Sequence, residues 1–277
     1  MNTQPLIEPG FMFSQHSLNT YVRCPRRFLL QYVDRQPWPV LAEDDRGERQ
    51  EHLARGRLFH QWLLRKQLGV EIEQIVRATS DAQLRRWWQA AEGFAWDDLP
   101  ASRQVELPIV VPIGDYRLYA RYDLVAWSGT EAVVVDWKTL PQRFSDAVAQ
   151  SRMQTRVYLY TLAHSGHVVL GSPNPKPEDL SMRYWYAEFP GAPSVVGYST
   201  ARYAQDRRYL TELVAQITQQ PLEAFVPTDR QQLCEQCAYQ SWCRNDRPGR
   251  LVSQDDAFAF EEDSDFVDVD SAPELEY

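Results

Sequence analysis

The positions of the four cysteines restrict the fold of this chain more than any other feature of its sequence. Three of them follow the spacing Cys-x2-Cys-x5-Cys, at Cys234, Cys237 and Cys243, and the fourth, Cys24, lies near the N-terminus. A chain of 277 residues can bury a core without disulfide bonds, so a shared metal ion or metal cluster is the better interpretation. If all four thiolates bind one centre, the first helix and the last segment are held together around everything between them.

The composition is that of a soluble globular protein, with 44% apolar and 24% charged residues. The first residues lack the basic region and the apolar run of a signal peptide, and no segment is apolar enough to span a membrane. We therefore expect a protein of the reducing cytoplasm with no membrane partner, in which thiols stay available as ligands.

Negative charge is concentrated at the C-terminus. The net charge is −9, yet ten of the 38 acidic residues lie after Arg250, where there is no Lys or Arg. Residues 1–250 are therefore close to neutral, and we expect them to form one domain. Residues 251–277 are too acidic to form a core and are expected to be a disordered tail. Such a tail is either a solvated terminus or a segment that binds a protein partner or shields a DNA-binding cleft.

The periodicity of apolar residues predicts an α/β domain in which helices flank a central mixed sheet. Ser17 is a candidate N-cap, Pro25 is placed to begin a second helix, and Gly166 is placed to end a later one. Turns at 114–115 and 128–129 join three β-rich runs into a meander. The predicted helices cover residues 17–24, 25–32, 51–68, 81–93, 146–164 and 201–219, and the predicted strands cover residues 105–111, 116–127, 131–137, 181–189 and 194–198.

Two acidic residues and a lysine come together on this meander. Asp123 lies near the end of the second strand and Asp136 at the end of the third, so the hairpin places the two carboxylates side by side. Lys138, two residues further on, points to the same face as Asp136. Two carboxylates and an ammonium in one place are typical of a divalent-metal site. The simpler alternative is a surface salt bridge, from Asp136 to Lys138 or from Asp123 to Arg121.

Two neighbouring helices add polar residues in a suitable order. His60 lies on the helix before the sheet, and Gln154 and Tyr158 lie one turn apart on the helix after it. Each of them is also explained as an ordinary packed or solvated residue. Glu106, on the first strand of the meander, faces the same end of the sheet and is a candidate for supporting the ligands or binding a second metal ion.

The order of these residues resembles the RecB-like branch of the PD-(D/E)xK nucleases, in the members that carry a four-cysteine iron–sulfur cluster. Those members include the AddB nuclease domain and the RecB-like exonucleases of CRISPR adaptation. The resemblance covers about residues 14–247. In this chain Ala120 stands where many members have Gly, and Asp136 stands where Glu is frequent. The resemblance rests on the cysteine spacing and on His60, Asp123, Asp136-x-Lys138 and Gln154-x3-Tyr158 in this order.

The resemblance implies a restriction-endonuclease-like core and a DNA exonuclease that acts on free ends or single strands. The pathways it implies are DNA repair, recombination or CRISPR adaptation. It also implies a bound Mg²⁺ or Mn²⁺ ion, because imidazole and carboxylate ligands suit these metals. The implied metal ligands are His60, Asp123, Asp136 and the backbone carbonyl of Trp137.

The remaining residues have implied roles around that metal. Lys138 would orient the attacking water, and Gln154 and Tyr158 would steady the substrate or the carboxylates. The resemblance implies a structural [4Fe–4S] cluster on the four cysteines, whereas the spacing alone leaves zinc as an alternative.

Two other functions are compatible with parts of this pattern. A non-catalytic module with a degenerate nuclease fold would hold single strands on Arg-rich surfaces and on exposed Trp87 and Trp88. A structural zinc protein would need only the four cysteines. The complete set of His, Asp, Asp and Lys favours the nuclease over both.

Overall fold

A single mixed sheet of six strands forms the centre of the protein. The structure, a computed structural model, describes residues 5–36, 47–171, 175–235 and 237–243. The strands are β1 (Met12–Ser14), β2 (Ser102–Ile113), β3 (Tyr116–Ser128), β4 (Glu131–Lys138), β5 (Leu180–Tyr186) and β6 (Ser194–Gly197). Their order is β1–β3–β4–β5–β6, and β2 also pairs with β3. The β1–β3 and β4–β5 pairs are parallel and the others antiparallel, which confirms the predicted meander and mixed sheet.

Helices cover both faces of this sheet. They are α1 (Gln15–Arg23), α2 (Pro25–Phe28), which continues into a π-helical turn (Leu29–Val33), α3 (Gly47–Gln67), α4 (Glu73–Ala78), α5 (Ala82–Glu92), α6 (Asp146–Ser151), α7 (Met153–Leu170), α8 (Thr200–Gln219), α9 (Gln231–Glu235) and α10 (Gln240–Cys243). Short 3-10 turns cover Trp96–Asp98, Pro177–Asp179 and Leu222–Ala224. Helices α1, α7 and α8 pack on one face, while α3 and α5 pack on the other.

Each face has its own hydrophobic core. The α7-face core contains Tyr122 and Val134 of the sheet packed against Val157 of α7. The α3-face core contains Phe59 of α3 and is rich in tryptophan. Trp87 and Trp88 belong to this second core and are 1% and 3% exposed, so the prediction that they present stacking surfaces to single strands is wrong.

Several predicted helix boundaries were wrong for local reasons. Ser14, not Ser17, is the N-cap of α1, because the two serines form a reciprocal capping box with Ser17 at its third helical position. The predicted helix over 146–164 is two helices, because Arg152 has an extended backbone with ψ of 144°. Helix α7 ends at Gly171, whose φ of +61° is the left-handed conformation of a C-cap, and Gly166 lies within the helix.

Some predicted features lie outside the described residues. The acidic tail at residues 251–277 is one of them, and so is most of the loop before α3. Within the described ranges, none of the helices has the length and apolar character needed to cross a membrane.

Candidate active site

A gap in the pairing of β3 places the two acidic residues. β2 pairs with nearly the whole of β3, while on the other side β1 pairs with residues 117–119 and β4 with residues 124–128. Within the described part of the chain, residues 120–123 therefore have no strand partner on that side. Because Leu124 and Val135 are paired, Asp123 and Asp136 face each other one residue further on. The expected adjacency is found, although Asp123 lies within β3 and not near its end.

Strand β2 reverses its side-chain alternation opposite Asp123. Glu106 has a φ of +49°, a conformation that is uncommon in residues other than glycine. Val105 packs against the α3-face core and Leu107 lies in the α7-face core, although residues two apart in a regular strand share a face. The ladder keeps the same register before and after Glu106, which leaves this residue across from Asp123. Glu106 therefore borders the acidic pair, as predicted. The positive φ at this residue, which switches the faces of the side chains on either side of it, was not predicted.

Asp136 is held by two side chains in the interior. It is 2% exposed, and Gln154 Nε2 donates a hydrogen bond of 2.6 Å to its Oδ1 atom. Lys138 Nζ donates to Gln154 Oε1 at 3.2 Å and lies 2.9 Å from Asp136 Oδ2. This buried oxygen is held by the Lys138 ammonium, and the described residues offer it no second donor. The pair is buried, which contradicts the surface salt bridge considered for these two residues.

The two carboxylates differ in their affinity for protons. Burial raises the pKa of Asp136 to about 6; the Lys138 ammonium opposes this rise, and the charge of Asp123 adds to it. Burial also acts to raise the pKa of Asp123, but His60, the Trp137 N–H and Lys138 together hold that pKa below its ordinary value. Burial acts to lower the pKa of Lys138, yet Asp136 raises it above the ordinary value. Asp123 is therefore the firmly ionised carboxylate, and Asp136 is the one that titrates near neutral pH.

Helix α3 brings His60 to Asp123. The His60 Nδ1 atom lies 3.6 Å from Asp123 Oδ1, and the Trp137 N–H donates to Asp123 Oδ2 at 2.9 Å. Gly56 lies one turn before His60 on the same helix face. A Cβ atom at Gly56 would lie 3.1 Å from Thr139 Oγ1, just beyond β4. The glycine therefore allows the close approach of α3 that places His60 beside the carboxylate.

Gln154 and Tyr158 lie on one face of α7, as predicted, but they do different things. Gln154 reaches Asp136 and Lys138, whereas the Tyr158 hydroxyl donates to the backbone carbonyl of Arg121 at 2.5 Å. Arg121 lies in the stretch of β3 that has no strand partner on that side. Its Nε atom lies 3.1 Å from Glu106 Oε2, so the guanidinium is paired across the β2–β3 ladder. Tyr158 thus supports the backbone of β3 and does not contact the carboxylates through these bonds.

Two further residues border the site that were not among the predicted ones. Tyr184 of β5 is the ladder partner of Asp136, and Lys138 Nζ lies 5.7 Å from the centre of its ring. Arg152 lies just before α7, and its charge opposes the rise in the pKa of both Lys138 and Tyr184. The position of Arg152 two residues before Gln154 is the sequence signal that would have found it.

The four cysteines line one cavity of about 60 Å³ at α2 and the C-terminal helices. Burial raises the pKa of Cys237 to about 11, Arg27 opposes this rise, and the charges of Cys24 and Cys243 add to it. Arg27 also lines the cavity, is 7% exposed, and donates its backbone N–H to Cys24 Sγ at 3.4 Å. A buried guanidinium requires a compensating negative charge. Four thiols beside a positive charge suit an anionic centre such as four thiolates around a metal, but as the side chains stand no three of these cysteines converge in that geometry within the described residues.

As the side chains stand, no three His, Cys, Asp or Glu residues converge into a metal-binding geometry in the described ranges. At the sheet, this is because Asp123 is turned to His60 while Asp136 is turned to Lys138 and Gln154. The side chains still suit a hard divalent cation, because Asp123 and Asp136 face each other and offer carboxylate oxygens.

Comparison with known proteins places the chain in a family. A family model described as the PD-(D/E)XK nuclease superfamily matches residues 12–244, and the chain belongs to this superfamily. Among solved structures, the crystal structure of SSO0001 has 12% sequence identity and a TM-score of 0.35, covering 87% of this chain and 89% of that chain. A putative exonuclease from Eubacterium rectale has 10% identity and a TM-score of 0.49, covering 90% of this chain and 93% of that chain. No curated protein matches the sequence at a significant level.

Proposed function

We propose that this chain is a metal-dependent deoxyribonuclease that hydrolyses phosphodiester bonds as an exonuclease on DNA ends or single strands. Membership of the nuclease superfamily supports phosphodiester hydrolysis, and the resemblance to RecB-like nucleases supports the substrate and a role in repair, recombination or CRISPR adaptation. The observation that carries the proposal is the buried Asp136, which is held by Lys138 and Gln154 and faces Asp123 across the hairpin.

The cation would be Mg²⁺ or Mn²⁺, since both take carboxylate oxygens and the imidazole shifts the preference toward Mn²⁺. When bound, such a cation polarises a phosphate oxygen and lowers the pKa of water. Asp136 Oδ2 is the clearest donor for it, because among the described residues its recorded partner is the Lys138 ammonium alone. The residues that would hold the cation are His60, Asp123, Asp136 and the backbone carbonyl of Trp137.

The protein contributes a fixed ammonium to the reaction. Lys138 is ion-paired with Asp136 and hydrogen-bonded to Gln154, so its position is set before substrate binds. An ammonium in a buried, preorganised site stabilises negative charge that develops on the phosphate and orients the attacking water. Gln154 positions both Lys138 and Asp136. Tyr158 acts indirectly, because its hydroxyl holds the β3 backbone at Arg121.

Two substitutions separate cation binding from hydrolysis. Lys138→Ala should abolish cleavage while leaving Mn²⁺ binding at pH 8 nearly intact, because the lysine is not among the expected ligands. Asp123→Ala should lose both. The assay uses labelled single-stranded, blunt-ended, flap and circular DNA with Mg²⁺ or Mn²⁺. Full activity of Lys138→Ala would contradict the mechanism, and no cleavage of any substrate by the wild type would contradict the function.

The four cysteines would bind a [4Fe–4S] cluster, with zinc as the alternative. The resemblance supports the cluster. With four thiolate ligands, an oxidised [4Fe–4S] cluster and a zinc ion each have a net charge of about −2, so the cavity with its buried Arg27 suits either one. We propose a structural role, in which the cluster joins Cys24 to the C-terminal helices and completes a single domain over residues 1–250. A brown protein with broad visible absorbance would support the cluster, whereas a colourless protein with one zinc per chain would contradict it.

A further inference from the structure

Arg152 is a rigidly held cation at the edge of the candidate active site. The centre of its guanidinium group lies 3.8 Å from the centre of the Phe144 ring. Phe144 is itself fixed, because its N–H donates to the Tyr186 hydroxyl and its carbonyl accepts from Ser194 Oγ. A guanidinium stacked on an immobile ring loses little freedom when it binds a ligand.

Two aromatic rings connect Arg152 to Lys138. The Phe144 ring that carries the Arg152 guanidinium packs edge to face against Tyr184, with ring centres 5.7 Å apart, and Lys138 Nζ lies 5.7 Å from the centre of the Tyr184 ring. Tyr184 is paired with Asp136 on the β5 side of β4, whereas Asp123 lies on the β3 side. The two cations are therefore grouped on the β5 side of Asp136, and the second carboxylate is on the opposite side.

The charges of the site are suited to a phosphodiester. Asp123 and Asp136 supply two negative charges, and Lys138 and Arg152 supply two positive charges, so these four groups are balanced. A divalent cation would add two positive charges to them. A phosphodiester attacked by hydroxide carries two negative charges, and Arg152 adds a second cation near Lys138 to attract them.

We propose that Arg152 binds a phosphate of the nucleic-acid strand next to Lys138, as a substrate-positioning residue. The inference rests on the proposed nuclease function. The planar guanidinium suits two parallel hydrogen bonds to phosphate oxygens, which a lysine ammonium cannot provide. Its position just before α7 places the phosphate contact two residues from Gln154, so one short segment would position the substrate, Asp136 and Lys138 together.

The test measures binding of fluorescent single-stranded DNA as a function of salt, with Ca²⁺ in place of Mn²⁺ to prevent turnover, and KM and kcat with Mn²⁺. Arg152→Gln should weaken DNA binding and raise KM about tenfold, and should lower the slope of log affinity against log salt by about 0.7 to 1. Arg152→Lys should keep the slope, because it keeps the charge. It should still bind DNA more weakly, because an ammonium cannot form the two parallel hydrogen bonds of a guanidinium. The matched control is Arg208→Gln, an exposed arginine of α8, which should change neither quantity.

The outcomes separate this inference from the nuclease proposal. An unchanged slope and KM in Arg152→Gln would overturn it, as would an equal loss in Arg208→Gln, which would indicate a diffuse surface charge. If Arg152→Gln unfolds, Arg152→Lys decides, because unchanged affinity and KM in that variant would also overturn the inference. If the wild type cleaves no DNA but Arg152→Gln selectively lowers the salt slope, the hydrolysis proposal fails while the phosphate contact stands.

Discussion

Mn²⁺ binding at the candidate active site should weaken as the pH falls through about 6, because Asp136 then takes up a proton. A proton and a metal ion compete for the same carboxylate oxygens. Asp123 does not titrate in this range, since its pKa is held below the ordinary value. The affinity should therefore be nearly constant above pH 7 and should fall by about a factor of ten for each pH unit well below 6.

The same pKa shift predicts how stability changes with pH when no cation is bound. The pKa of Asp136 rises from 3.8 to about 6 on folding, so the folded protein keeps a proton that the unfolded chain has already lost. This contribution to stability is complete below the unfolded pKa and is lost as the pH rises through the folded one. The shift corresponds to roughly 3 kcal/mol at neutral pH. Mn²⁺ offsets that charge, so it should raise Tm more at pH 7.5 than at pH 5.

Calorimetric titration with Mn²⁺ between pH 5 and pH 8 measures the effect. Histidine also takes up a proton near neutral pH, so the measurement is repeated with His60→Gln, in which the remaining pH dependence belongs to Asp136. Lys138→Met removes the ammonium that opposes the rise in the Asp136 pKa, so in this variant the loss of affinity should begin at higher pH. An Mn²⁺ affinity that stays constant from pH 8 to pH 5 in His60→Gln would refute the reasoning.

Three further substitutions test the support of the two sites. Gln154→Leu removes hydrogen bonds to two buried charged groups, so it should lower the free energy of unfolding, measured by urea denaturation, by roughly 3 kcal/mol. The control is Gln150→Leu at an exposed position of α6, which should change this free energy by less than about 0.5 kcal/mol. Gly56→Ala should lower Mn²⁺ affinity severalfold by moving α3 away from β4, and a second change, Thr139→Ala, should restore it because the close contact is then removed. Cys237→Ser should lose the bound metal or cluster and lower Tm, while the activity per folded molecule stays near that of the wild type.

The parts of the fold that could be predicted are those set by local sequence patterns. The three meander strands follow from alternating and β-branched runs between the turn residues Gly114 and Gly129, both of which have positive φ. Helix α5 follows from an apolar stripe behind the N-cap Asp81, whose side chain accepts from two backbone N–H groups. The neighbouring positions of Asp123 and Asp136 follow from the hairpin register alone.

The features that were missed are either locally ambiguous in the sequence or dependent on tertiary contacts. A serine in the first turn of a helix can act as the cap or as its partner, so Ser14 and Ser17 were confused. No helix-breaking residue marks the break between α6 and α7. At that break, Arg152 has an extended backbone and its guanidinium stacks on Phe144. The reversed φ of Glu106 is equally invisible in the sequence, because glutamate gives no signal for a left-handed conformation.

The gap in the pairing of β3 explains why residues from separate elements are needed at this site. Beside residues 120–123 the neighbouring strands do not pair with β3, which leaves backbone groups on that side without ladder partners. The Trp137 N–H is satisfied by the Asp123 carboxylate, and the Arg121 carbonyl is satisfied by the Tyr158 hydroxyl. The second of these bonds comes from the same helix face that delivers Gln154 to Asp136. The spacing Gln-x3-Tyr therefore meets two requirements, since one turn of α7 both supplies a donor to the unpaired β3 backbone and positions the buried charged groups beside it.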